Sequence, residues 1–198
     1  MPKRSEQKRE NRLRIINAYI ELLGQKDLRQ ITVADICTQA AVARKTLYSH
    51  FASKEDILDA VSQRVMFTGA IRAFRPEARA GETTLARLED TFKQLGLPLA
   101  TYRGQNIDVF VQLIQNMTMH LSTYSGLYGE FHKAAYDYFE SCRQSDDTRH
   151  DFDVGFVADL AVNAAVGIIL SWVSDQSYPA EQRMTELKQH IASLILVA

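Results

Sequence analysis

Residues 31–58 read "ITVADICTQAAVARKTLYSHFASKEDIL", and the fold turns on how this stretch divides. Thr32 stands three residues before Asp35, and Ser53 three before Asp56. A hydroxyl followed at that spacing by a carboxylate satisfies the unpaired N–H groups at a helix start, so each pair marks one. Val33, Ile36, Cys37 and Ala40 share one face of the helix that Thr32 opens. "AAVA" at 40–43 then breaks the rhythm, and a second short helix is predicted from Ala43 to about His50, turning Val42, Leu47 and Phe51 inward. Ser53 opens a longer third helix carrying Ile57, Leu58, Val61 and Val65. Two short helices joined by three or four residues form a helix-turn-helix.

Upstream, Leu13, Ile16, Tyr19, Ile20 and Leu23 recur at helical spacing within residues 8–25, until Gly24 and the polar run after it interrupt the pattern. Downstream of residue 55, helical patterns follow one another, with breaks near Pro76–Gly81, Gly96–Pro98, Gly104, Ser125–Gly129, Ser145–Asp151 and Ser177–Pro179. No alternating strand pattern and no internal repeat is seen. With 46% hydrophobic and 24% charged residues and only 9 Gly and 4 Pro, the 198 residues read as an all-α globular chain. The division expected is a three-helix N-terminal domain over residues 1–54 and a larger helical domain over 55–198.

The formal net charge of -1 hides an asymmetry. Residues 1–54 hold 11 Lys and Arg against 5 Asp and Glu, while the remainder is acidic. One end is therefore suited to an anionic partner. A helix that enters a DNA major groove must carry hydrogen-bond donors on its outer face and be braced from behind. Arg44 can address guanine O6 and N7 together, Lys45 a base or a phosphate, and Thr46 a phosphate or a thymine methyl. Tyr48, His50 and Lys54 lie towards the far end, where phosphates flank the groove. In the basic run 3–14, Arg9 and Arg12 are candidates for phosphate or minor-groove contact.

These residues, above all "TLYSHFASKE" at 46–55, resemble the DNA-binding segment of the TetR family of transcriptional regulators over roughly residues 10–60. The resemblance implies a homodimer that binds a pseudo-palindromic site on double-stranded DNA, with Thr32, Arg44, Lys45, Thr46, Tyr48, His50 and Lys54 at the contacting positions. It further implies a repressor released when a small-molecule effector binds the C-terminal domain and shifts the helix beginning near Ser53. Two positions depart from the family pattern, which favours Gly where Ala41 stands and Ser where Ala43 stands. Ala41 in a left-handed turn costs about 1 kcal/mol or more, and the missing hydroxyl at 43 about 1 kcal/mol.

In the acidic remainder, residues 152–174 carry Phe152, Phe156, Leu160, Gly167 and Leu170 along one side and Ala158, Ala161 and Ala165 along another. Pro179 suits the first turn of a final helix with Met184, Leu187, Ile191 and Leu194 as its stripe. These two helices resemble the pair through which TetR-like proteins dimerise, which puts Ala161, Ala165, Trp172, Leu187, Ile191 and Leu194 at the interface; "GIILSWV" is most like a subgroup with a compact sensor domain. Phe110, Met117, His120 and Tyr124 recur at one- and two-turn intervals and are the candidate effector pocket, although such residues also build cores. Cys37 and Cys142 have no C-x-x-C spacing, so no thiolate metal site or disulfide framework is indicated. The uncharged stretch Leu160–Ser174 is shorter than the ~20 residues a bilayer span requires, the N-terminus lacks a signal-peptide core, and a cytoplasmic protein is expected. No G-x-G-x-x-G, P-loop, G-x-S-x-G or H-E-x-x-H occurs, which leaves no catalytic residue, cofactor or metal to assign and disfavours an enzyme. The rival that keeps the DNA-binding domain replaces the effector by a protein partner.

Overall fold

The computed structural model describes the backbone of residues 2–75, 82–101, 107–119 and 121–197, and the side chains of these except 2–4, 101, 116–119 and 121–125. The helices run α1 (Pro2–Leu23), α2 (Val33–Ala40), α3 (Arg44–Tyr48), α4 (Lys54–Gln63), a π-helical turn (Arg64–Thr68), α5 (Gly69–Ala73), α6 (Thr84–Leu95), α7 (Leu97–Thr101), α8 (Ile107–Met119), α9 (Leu121–Arg143), α10 (Val154–Ser174) and α11 (Ala180–Ile195). Among the described residues no β-strand forms; an isolated bridge joins Thr148 and Leu196. The all-α expectation holds. Two details differ: α1 begins at Pro2 rather than near residue 8, and the helix opened by Ser53 passes into a π-helical turn at Arg64.

Packing divides the chain into two compact units, Met1–Val65 with Gln105–Leu121, and Met66–Gly104 with Ser122–Ala198. The first therefore extends beyond residue 54 and recruits α8 from far along the sequence. In this unit α1 packs on α2 and α4, α2 on α3, and α4 on α8. Its core joins Ile15, Tyr19 and Leu22 of α1, Ile36 of α2, Leu47 of α3, Phe51, Ile57 and Val61, and Leu113 of α8. Side chains of this size contribute on the order of 2 kcal/mol each when fully buried. That burial, rather than helix propensity, holds a helix as short as α3, since so few residues cannot sustain an isolated helix in water.

In the second unit α6 packs on α5 and α11, and α10 on α11. Phe74 sits among Phe131, Tyr138 and Phe139 with ring centroids 5.7, 5.6 and 6.1 Å away. Asp147 accepts hydrogen bonds from the Thr84 backbone N–H (2.7 Å) and hydroxyl (2.6 Å). Burial opposes its charge, but those bonds and Arg87 hold the carboxyl below its ordinary range. Beside it, the Val197 N–H donates to the Asp147 carbonyl (3.2 Å) and the Arg149 N–H to the Ile195 carbonyl (2.7 Å).

α10 is 21 residues long with a mean hydropathy of 1.9 over its most apolar window, enough by length and composition to cross a membrane. The helix read from the sequence over residues 152–174 forms as Val154–Ser174 and extends six residues ahead of the uncharged stretch. Ala158, Ala161, Ala165 and Trp172 are buried, as are Leu187 and Ile191 on α11. The sequence expectation put these residues at a dimer interface; Ala161, Ala165, Trp172, Leu187 and Ile191 are buried within the chain itself, and of the six only Leu194 is exposed. The other side of α10 is the uncovered one. Phe156 is 61% exposed, Asn163 and Gly167 are exposed, and Leu160 and Leu170 are half-buried.

Candidate nucleic-acid interface

The turn between α2 and α3 has the geometry of a Schellman motif. Ala41 adopts φ 50°, ψ 48°, the left-handed region, and is the one non-glycine residue with positive φ among those described. Its N–H donates to the Thr38 carbonyl (3.2 Å) and that of Val42 to the Cys37 carbonyl (3.0 Å), which ends α2 and redirects the chain. Ala43 then starts α3 with no side-chain cap, as its methyl group dictates.

The flanking caps form as read. Thr32 Oγ1 accepts from the Asp35 N–H (3.1 Å) and donates to the Asp35 carboxylate (2.8 Å), which also accepts from the Thr32 N–H (2.8 Å). Lys26 at 2.9 Å and the Thr32 donors hold the Asp35 carboxyl far below its usual range. Ser53 and Asp56 repeat the arrangement at α4.

Between the caps, Arg44, Lys45 and Tyr48 are exposed, Thr46 and His50 half-buried, and Leu47 fully buried. One face of α3 is thus anchored and the opposite face presents donors. The Arg44 guanidinium lies 5.7 Å from the centroid of the Tyr48 ring, a cation–π contact that limits its rotamers before any ligand arrives. Burial, then the neighbouring Lys8 and Arg12 charges, push the His50 imidazole below its ordinary value.

Three cations near this face are engaged with main-chain carbonyls. Lys54 Nζ donates to Leu28 O (3.0 Å), Arg12 Nη1 to His50 O (3.1 Å), and Arg14 Nη2 to Ala40 O (2.6 Å) and Ala41 O (3.2 Å). Arg12 also lies over the Phe51 ring, 4.2 Å from its centroid. Arg12, expected at a phosphate or in the minor groove, ties α1 to the chain just after α3, and Lys54, expected at a phosphate, ties the start of α4 to the connection between α1 and α2. Arg14 was not singled out from the sequence, because nothing in its spacing reveals which carbonyls it reaches.

A model of bacterial regulatory proteins of the tetR family matches residues 15–61, the segment that holds these caps, the left-handed turn and α3. That segment is similar to the TetR family. A stretch of 53 residues of the chain is 42% identical to the fatty acid metabolism regulator protein of Bacillus subtilis, a match spanning 27% of this chain and 27% of that protein. The fold is similar over most of its length to a tetR-family transcriptional regulator from Streptomyces coelicolor, with a TM-score of 0.62, 19% identity, and 94% of this chain and 80% of the other covered. It is also similar to FadR from Bacillus subtilis solved in complex with stearoyl-CoA, with a TM-score of 0.56, 21% identity and coverage of 91% and 97%.

Of the candidate effector residues, Phe110 is fully buried on α8, in the first unit. His120 lies outside the described residues, as do the side chains of Met117 and Tyr124. Within the second unit, Leu99, Trp172, Tyr178 and Glu181 help line an open groove of about 500 Å³, and Phe92, Met184 and Lys188 a smaller one of about 260 Å³.

Proposed function

We propose that this chain is a TetR-family, sequence-specific DNA-binding repressor, acting as a homodimer on a pseudo-palindromic operator and released by a small-molecule effector. The observation that carries the reading is α3, whose buried Leu47 and pinned ends leave Arg44, Lys45 and Tyr48 outward on a fixed frame. Arg44 reads a base, Lys45 and Thr46 a base or phosphate, and Tyr48 and His50 phosphates. Thr32 and Lys54 sit at the edges of the same surface, each with one donor already engaged.

The second copy covers the uncovered stripe of α10, where Phe156, Leu160, Gly167 and Leu170 follow one another at helical spacing. An apolar stripe along a helix is normally covered, and α11 packs on the alanine-rich side of α10 rather than on this one. Gly167 has nothing within 4 Å of where a Cβ would stand, which leaves room for a close helix approach. Residues 1–54 supply DNA recognition, and residues 55–198 dimerisation and effector binding. The effector lowers operator affinity through its preference for the state that binds DNA less well. Support for a small molecule comes from the groove in the second unit, whose ~500 Å³ falls in the range of ligand sites, and from the relative solved with stearoyl-CoA.

Selection of bound duplexes from a random pool near physiological salt tests this reading. Recovery of a two-fold symmetric sequence supports it; enrichment of nothing removes α3 as a sequence reader and promotes the protein-partner alternative.

A further inference from the structure

We infer that Arg14 is a positioning residue for DNA recognition, acting through the backbone of the helix-turn-helix rather than through the nucleic acid. The inference rests on the proposed role of α3. A helix of five residues has too few internal hydrogen bonds to fix its own direction, so its aim is set where its ends are tied. The incoming end follows Ala41, whose left-handed conformation an L-residue with a Cβ populates poorly. Arg14 holds that turn from outside. One guanidinium nitrogen donates to the carbonyls of Ala40 and Ala41, at 2.6 and 3.2 Å, where the Schellman bonds leave acceptors free and the α2 dipole places partial negative charge.

The arm that delivers Arg14 is rigid, because the residues after it, Ile15 and Ile16, are buried, with Ala18 and Tyr19 beyond them. Two residues earlier on the same helix, Arg12 donates to His50 O at the outgoing end of α3. α1 thus grips the chain on both sides of the recognition helix, and Arg14 grips the side that carries the unfavourable torsion.

The test is a double-mutant cycle of Arg14→Ala and Ala41→Gly in the full chain, read by affinity for a duplex recovered by selection and for a scrambled duplex over a range of salt. Arg14→Ala is expected to weaken the selected duplex about tenfold, the range for losing charge-assisted hydrogen bonds, while leaving the scrambled duplex and the salt slope unchanged. In the Ala41→Gly background, where glycine adopts the turn unaided, the loss shrinks to within about threefold of the single Ala41→Gly variant. Arg14→Lys, which keeps one donor, falls between and covers the case in which the alanine variant does not fold.

Equal weakening of both duplexes with the salt slope reduced by about 0.9 would identify a phosphate contact and overturn the inference, as would an equal loss with and without the Ala41→Gly substitution. Amide exchange at Ala41 and Val42 in the free protein separates the two readings. Faster exchange in Arg14→Ala with no duplex discrimination by the unmutated chain leaves the clamp standing and removes the DNA-reading role; unchanged exchange removes the clamp itself.

Discussion

Replacing Ala41 by glycine should stabilise the protein, against the usual direction for glycine in a folded chain. The torsions φ 50° and ψ 48° place the alanine Cβ close to the following carbonyl, a conformation that costs an L-residue about 1–2 kcal/mol. Glycine removes that cost but adds conformational freedom to the unfolded chain, worth about 0.4–1 kcal/mol against folding. The difference favours glycine by roughly 0.5–1 kcal/mol. Both Schellman hydrogen bonds are donated by main-chain N–H groups and survive the change. With a urea m-value of about 2 kcal/mol/M, the unfolding midpoint should rise by roughly 0.3–0.5 M at constant m. Helical circular dichroism through a urea titration reads this directly. A midpoint lowered by about 0.2 M or more at constant m, the shift expected from the added chain entropy alone, would show that residue 41 carries no torsional cost and would remove the physical basis for its clamp.

Arg44→Ala should cost about 1–3 kcal/mol on a selected duplex and relax preference at one position of each half-site; unaltered discrimination in competition binding would remove Arg44 from the readout. His50, whose imidazole the fold holds below its ordinary value, resists protonation in the free protein. Its contribution to stability is therefore present above the ordinary histidine range and lost as pH falls through it, whereas a phosphate beside it favours the proton. Operator affinity should accordingly rise as pH is lowered from about 7.5 towards 6, and His50→Gln should flatten that trend; a trend unaffected by the substitution would place His50 away from the phosphates. Leu170→Asp on the uncovered side of α10 should yield a monomer in sedimentation and weaken operator binding by about a hundredfold or more, as expected when two linked contacts become one. A dimer that persists would move the interface elsewhere.

The local chemistry of the DNA-binding segment was legible because each signal acts over three or four residues. Thr32 with Asp35 and Ser53 with Asp56 form the caps their spacing implies, Ala43 lacks one, and Ala41 takes the left-handed turn. What escaped the sequence depends on contacts between distant segments. Arg12, Arg14 and Lys54 count as positive charge in any composition, yet each is directed to a carbonyl 26 to 38 residues away. α10 offers two apolar sides of similar character, one rich in alanine and one carrying Phe156 and Leu170, and periodicity alone does not say which of them α11 covers. The π-helical turn at Arg64–Thr68 leaves the apolar rhythm of Val61 and Val65 undisturbed, so it too left no trace in the pattern.

Asp147 bears on the order of events in folding. Its carboxylate meets Thr84, 63 positions earlier, while its carbonyl meets Val197, 50 positions later. Chain closure over such separations is entropically costly, and contacts of this kind form after local helices have condensed. The junction is therefore expected to form late and to contribute little to the transition state. Its strength governs how slowly the second unit comes apart rather than how quickly it assembles. A single aspartate remote in sequence from α3 is thus expected to set part of the lifetime of the folded second unit.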